Sequence, residues 1–147
     1  MPDYDDPEIE EQWCNEQREA VAAYLQKEKV PYNDIGEWPA FHLAPYLSLW
    51  AVESSEVLGS IGWWALCGDV PLDHISAADI EPPQHPRKAL RVFSKSWREI
   101  VRAWDEGKEP ANVRLGSVGD REVLGPLLTT RAKFLLELAE DDELWEE

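Results

Sequence analysis

Cys67, Asp69, Asp73 and His74 fall within eight residues at the end of an apolar run. Those types suit nucleophilic catalysis, which needs a thiol, an imidazole base and a carboxylate to orient the base. Gly68-Asp69 with Val70-Pro71 is also a turn signal in its own right. Successive strand residues point to opposite faces, so nearness in sequence does not supply a catalytic geometry. No catalytic residue is assigned, and this loop stands as the alternative. Metal donors exist in His42, His74, His85, Asp69 and Asp73, but the three histidines are scattered over 44 positions without an HExxH or a comparable spacing. No metal and no cofactor is expected.

Two further sets of residues invite a binding role. Trp63 and Trp64 are adjacent, so on a strand one faces a core and the other, with Trp38 or Trp50, offers a stacking platform for a sugar or base. Gly116-Ser117-Val118-Gly119 precedes a helical pattern and presents backbone N–H groups to a phosphate, but the lysine of a P-loop is missing. Cys14 and Cys67 are far apart with no CxxC, which excludes a disulfide framework and a cysteine zinc site; both are expected as reduced, buried thiols.

Charge is unevenly placed along the 147 residues, whose net charge is −16. Residues 1–12 hold six acids and residues 137–147 hold seven, with no Lys or Arg in either stretch. Val30 to Pro86 has eight acids and no base, whereas Arg87, Lys88, Arg91, Lys95, Arg98 and Arg102 face the single acid Glu99. Blocks of opposite sign must meet inside the fold or face different partners. Arg91, Lys95, Arg98 and Arg102 are expected mostly to meet carboxylates of their own chain, leaving an acidic outward face that repels nucleic acid.

The elements that must position these residues follow from periodicity. Asp6-Pro7 starts a helix, and Ile9, Trp13, Ala20, Val21, Tyr24 and Leu25 recur at helical steps up to Val30-Pro31, which places it at about 7–29. Tyr32 to Pro45 reads as a loop pinned by its aromatic residues. Tyr46–Glu53 and Ser60–Cys67 read as an antiparallel hairpin covered on both faces, and His74–Ile80 as a short third strand or turn. Leu90, Phe93, Trp97, Ile100, Val101 and Trp104 make the apolar stripe of a second helix that stops at Gly107. Ala111–Gly119 is irregular or a brief strand, Gly125-Pro126 breaks the next pattern, and a third helix covers 126–139 before an acidic tail that frays. One core should hold Trp13, Leu49, Trp63, Leu66, Phe93, Trp97 and Leu135.

The run from Gly62-Trp63-Trp64 through Cys67-Gly68-Asp69 to His74-Ile75-Ser76, followed by His85-Pro86-Arg87 and the aromatic helix through Phe93 and Trp97, resembles a family of short uncharacterised bacterial proteins, a domain of unknown function. The similarity covers Gln12 to Gly116. It implies a bacterial source and a domain spanning the chain, and it brings no activity and no site residues.

These features together describe a single α+β domain over residues 1–147, a small antiparallel sheet packed against about three helices, with acidic ends. The acidic N-terminus is followed by no apolar run and no stretch reaches the roughly 20 apolar residues that span a bilayer, so a cytoplasmic protein without membrane contact is expected. The function this favours, ahead of any enzyme, is an interaction protein of immunity or inhibitor type that binds a basic protein. The alternatives are a small hydrolase or transferase using Cys67 to His74, or a ligand-binding module built on Trp63 and Trp64. Arg91, Lys95, Arg98 and Arg102 are the other binding candidates.

Overall fold

The computed structural model describes residues 2–109 and 121–146. The first helix, α1, spans Pro7–Lys27; the Asp6 carboxylate accepts the Glu8 N–H at 2.9 Å, Pro7 occupies the first turn, and Glu8 and Glu10 suit the positive end of the helix dipole. At the other end Lys29 takes a left-handed conformation (φ 58°) and the Val30 N–H returns to the Leu25 carbonyl at 3.0 Å, closing the helix just ahead of Pro31.

Tyr32 to Pro45, expected as a loop, contributes two short strands instead: β1 at Tyr32–Ile35 and β2 at Phe41–Leu43. Both pair antiparallel with the same edge of β3, Leu47–Ser54, so they act as one edge strand with a gap. Gly36 and Ala40 bracket that gap by donating to the Ala51 and Leu49 carbonyls at 3.1 and 2.8 Å. Pro39 lies between them, where no ladder hydrogen bond is asked of it. Gly36 and Pro39 make the local composition look like a loop; the partner strand supplies the pairing.

β3 and β4, Ile61–Gly68, form the expected hairpin, with Leu49 opposite Leu66 and Trp50 opposite Ala65. β5, Asp73–Ser76, adds to the other edge of β4 in antiparallel register, His74 opposite Ala65 and Asp73 opposite Leu66. The result is a five-stranded antiparallel sheet.

Because side chains alternate along each strand, the sheet divides the interior into two cores, and the single core expected from the sequence is corrected accordingly. On one face Val21, Tyr24 and Leu25 of α1 cover Ile35, Trp50, Val52, Ala65 and Cys67. On the other, Leu49, Trp64, Leu66 and Ile75 meet two helices, α2 at Pro86–Asp105 and α3 at Arg121–Glu140. Phe93, Trp97 and Leu135 belong to this second core, while Trp63 packs on the α1 side.

α2 starts from an unusual cap, His85, whose Nδ1 accepts the Arg87 N–H at 3.0 Å, and buries Ala89, Leu90, Phe93, Ser94, Trp97 and Ile100. The Ser94 hydroxyl donates to the Ala132 carbonyl at 2.8 Å where α2 packs on α3. α3 runs through Gly125-Pro126 without the expected break. Pro126 removes one backbone donor near the start of the described helix, and the buried Leu124, Leu128, Ala132 and Leu135 hold the turns on either side against α2. The acidic tail does not fray: a turn of 3-10 helix, Asp142–Trp145, follows α3, and Trp145 stacks on Phe41 of β2 with ring centroids 4.8 Å apart. The expected irregular stretch Ala111–Gly119, with its glycine loop Gly116–Gly119, lies outside the described residues.

Candidate functional site

The sheet separates the residues of the Cys67–His74 loop. Asp73 and His74 are both buried, but their side chains lie on opposite faces. The Asp73 carboxylate accepts the Trp97 indole N–H at 2.8 Å on the α2 side. His74 meets the Tyr24 hydroxyl through Nδ1 at 2.8 Å on the α1 side, with Trp63 packed edge-on at 5.8 Å. Cys67 shares the α1 face with His74, 5% exposed; desolvation pushes its thiol up to about 11, partly offset by a hydrogen bond from the Gly68 N–H. Burial and the Glu10 carboxylate also raise the Cys14 thiol to about 11. At neutral pH neither is a thiolate, the form a nucleophile requires. Asp69 turns outward to Arg131, whose guanidinium donates to its carboxylate at 3.2 Å and its carbonyl at 2.7 Å.

The remaining sequence candidates are also dispersed. Trp64 is 1% exposed with its N–H on Gln84 at 2.8 Å, and Trp50 is fully buried with its N–H on Ser48, so neither presents a stacking face. Trp63 is half-buried, its N–H on the Pro31 carbonyl at 3.1 Å. His42 is on β2, His74 on β5 and His85 caps α2; among the described residues no group of three or more ligating side chains comes together.

The basic stripe meets its own chain only in part. Arg87 pairs with Asp142 at 2.5 Å and Arg91 with Glu140 at 3.0 Å. Lys95, Arg98 and Arg102 are exposed, and among the described residues no carboxylate lies within 4.0 Å of them. Among the described residues, the expected neutralisation of Arg91, Lys95, Arg98 and Arg102 therefore holds for Arg91 alone.

A different surface gathers the acids. Because β1 and β2 are strands, Asp34, Glu37 and Trp38 are held on the sheet edge beside the first half of α1, with Trp38 46% exposed. His42 packs edge-on to Trp38 at 5.4 Å and tilts over Trp13 at 6.3 Å, and its Nε2 is 3.6 Å from the Glu10 carboxylate. Asp34, Glu37 and Glu53 line an open hollow of about 300 Å³ together with Gly36, Ser60 and Ile61. The side chain of Asn33 and the Gly59 N–H, the latter at 2.7 Å, donate to Glu53 and hold its carboxyl below the usual range.

Arg18 is the one base between Met1 and Gln26, and its guanidinium is spent on this edge, donating to the Gly36 and Ile35 carbonyls at 3.0 and 2.8 Å and to Asp34 at 3.2 Å. Exposed Asp3, Asp5, Asp6, Glu8, Glu11, Glu16 and Glu19 continue the negative surface along α1. Exposed acids thus crowd α1 and the sheet edge, while α2 carries an exposed row of cations, Lys95, Arg98 and Arg102. Sequence reasoning found the acids of the N-terminus but not the edge, since Asp34, Glu37 and Trp38 sit in a stretch that reads as loop.

Among the described residues no helix is long and apolar enough to cross a membrane. No curated protein and no solved structure matches the chain. One family model does, over residues 8–145: the chain belongs to the family described as Domain of unknown function (DUF4826).

Proposed function

We propose that this chain is a small interaction protein of the bacterial cytoplasm that docks a basic partner protein on its α1 and β1 face, as an inhibitor or immunity protein masks a cationic site. The observation that carries the proposal is the exposed ring of Trp38, next in sequence to the exposed Glu37 and packed on His42, which in turn meets the Glu10 carboxylate of α1, with the exposed acids of α1 continuing that surface. An aromatic anchor within a like-charged rim is the pattern of an interface hot spot, where the ring supplies affinity and the charges steer encounter and select the partner. Two buried, reduced thiols fit a reducing compartment. Asp73 and His74 on opposite faces give no support to a hydrolase or transferase at the Cys67 loop.

Partners captured on the immobilised chain at low salt should be basic proteins that elute as salt rises, since exposed charges are screened beyond about 8 Å at physiological ionic strength. They should be lost from a chain carrying Trp38→Ala with Glu37→Lys and Glu16→Lys. Retention of the same proteins on that variant at high salt, or capture of RNA or DNA that disappears on Arg98→Glu, would sink the proposal.

A further inference from the structure

The acidic C-terminal segment is itself bound to the protein. Glu140 and Asp142 reach back to Arg91 and Arg87 on α2. Trp145 fills a slot between Phe41 of β2 and His85 at the start of α2, with centroid separations of 4.8 and 5.7 Å, and its indole N–H donates to the Leu138 carbonyl at 2.9 Å. Around that anchor Asp141, Asp142, Glu143, Leu144 and Glu146 are exposed, and the Asp142 side chain is 81% exposed even while paired with Arg87. Exposed ion pairs of this kind add little each, so the segment is held chiefly by one ring.

We infer that the slot between Phe41, His85 and α2 is a peptide-binding site for a segment of a partner protein that carries acids followed by a Trp, and that residues 141–146 occupy it as a displaceable ligand supplied in cis. The chemistry of the ligand is read from the occupant: carboxylates opposite Arg91 and Arg87, then an indole in the slot. The advantage of a partner is read from what the cis segment leaves uncovered. On a helix of about 100° per residue, Arg87, Arg91, Lys95, Arg98 and Arg102 fall within a sector of about 80°, so they form one cationic track. The cis segment pairs with Arg87, and Glu140, the last residue of α3, with Arg91; α3 ahead of it is packed against α2, and among the described residues no carboxylate reaches Lys95, Arg98 or Arg102. A partner segment with more acids ahead of its Trp runs on along the track. This surface lies across the sheet from the acidic face of α1, so the two proposals fail separately.

The probe is a fluorescein-labelled peptide with the sequence of residues 137–147, titrated against the full chain and its variants by polarisation. Trp145→Ala should open the site, and the peptide should then bind at least tenfold tighter than it binds the unaltered chain, more weakly as salt rises. Arg87→Glu with Arg91→Glu in that background should abolish binding, as should alanine in place of the peptide's Trp. A peptide with four additional Glu at its N-terminus should gain affinity that Lys95→Glu and Arg102→Glu remove. Should Trp145→Ala not fold, the unaltered chain labelled with nitrogen-15 serves: excess peptide should move the Trp145 indole resonance toward its solvent position. Equal or absent binding to folded Trp145→Ala, or an indole resonance unmoved by excess peptide, would overturn the proposal. A dimer formed by exchange of C-terminal segments would overturn it too, by making the occupant a second copy.

Discussion

Asp73 and His74 are consecutive on β5 and are satisfied on opposite sides of the sheet, the carboxylate by the Trp97 N–H at 2.8 Å and the imidazole by the Tyr24 hydroxyl at 2.8 Å. Each ties a different helix to the same strand. Buried polar groups of this kind contribute modestly when paired and are costly when one partner is removed.

Asp73→Ala should therefore destabilise the fold by about 1–3 kcal/mol, because the buried Trp97 N–H loses its acceptor. Asp73→Asn keeps an acceptor oxygen and should lose less. Tyr24→Phe should cost about 0.5–1.5 kcal/mol through the hydroxyl alone. Urea unfolding measures all three; an Asp73→Ala chain as stable as the parent would show that this bond carries nothing.

Cys67 sets a pH dependence whose sign follows from its environment. Desolvation raises the folded thiol from its ordinary 9.0 to about 11, so the folded chain holds the proton more tightly than the unfolded one. The stabilisation is complete below pH 9.0 and is lost as pH rises from there through about 11. Cys67→Ala should flatten that part of the stability profile. At pH 8 about a thousandth of the thiol is ionised, so alkylation of the native chain should be slow and should become rapid in denaturant.

Arg87 and Arg91 make similar ion pairs in unequal settings. The Arg91 side chain is 42% exposed and its pair with Glu140 is a surface contact, so Arg91→Ala should change stability by less than about 1 kcal/mol. Arg87 is 23% exposed and also donates to the Ala139 carbonyl at 2.5 Å, one of the last carbonyls of α3. Arg87→Ala should cost more, and thermal melts of the two variants at low and high salt should separate them, with salt eroding chiefly the Arg91 contribution.

Gly68 closes β4 with φ 129°, and a Cβ there would stand 2.7 Å from both the Leu47 Cα and the Tyr46 carbonyl oxygen. Gly68→Ala should destabilise by more than about 1 kcal/mol, since neither the conformation nor the space suits a side chain. Trp64→Ala, which empties a position 1% exposed, should cost about 3–5 kcal/mol and Trp63→Ala, at a half-buried position, less. Equal losses for the two tryptophans in urea unfolding would contradict the difference in burial.

The sequence by itself determined the elements whose signals are local. Asp6-Pro7 and Val30-Pro31 bound α1, the hairpin reads from Tyr46 to Cys67, and the apolar stripe from Leu90 to Ile100 marks α2, because caps, breakers and periodicity act within a few residues. Tertiary structure alone decided three matters. It turned Tyr32–Pro45 into an edge, since strand pairing is supplied by a distant partner, β3, and overrides the loop composition of Gly36 and Pro39. It carried α3 through Pro126 and pinned Trp145 on Phe41, because packing against α2 and β2 offsets a lost backbone bond and the freedom of a terminal segment. It also placed Asp73 and His74 on opposite faces and, among the described residues, left Lys95, Arg98 and Arg102 without a carboxylate partner while Arg87 and Arg91 found acids, since whether charges meet depends on where distant elements end, which no local pattern encodes.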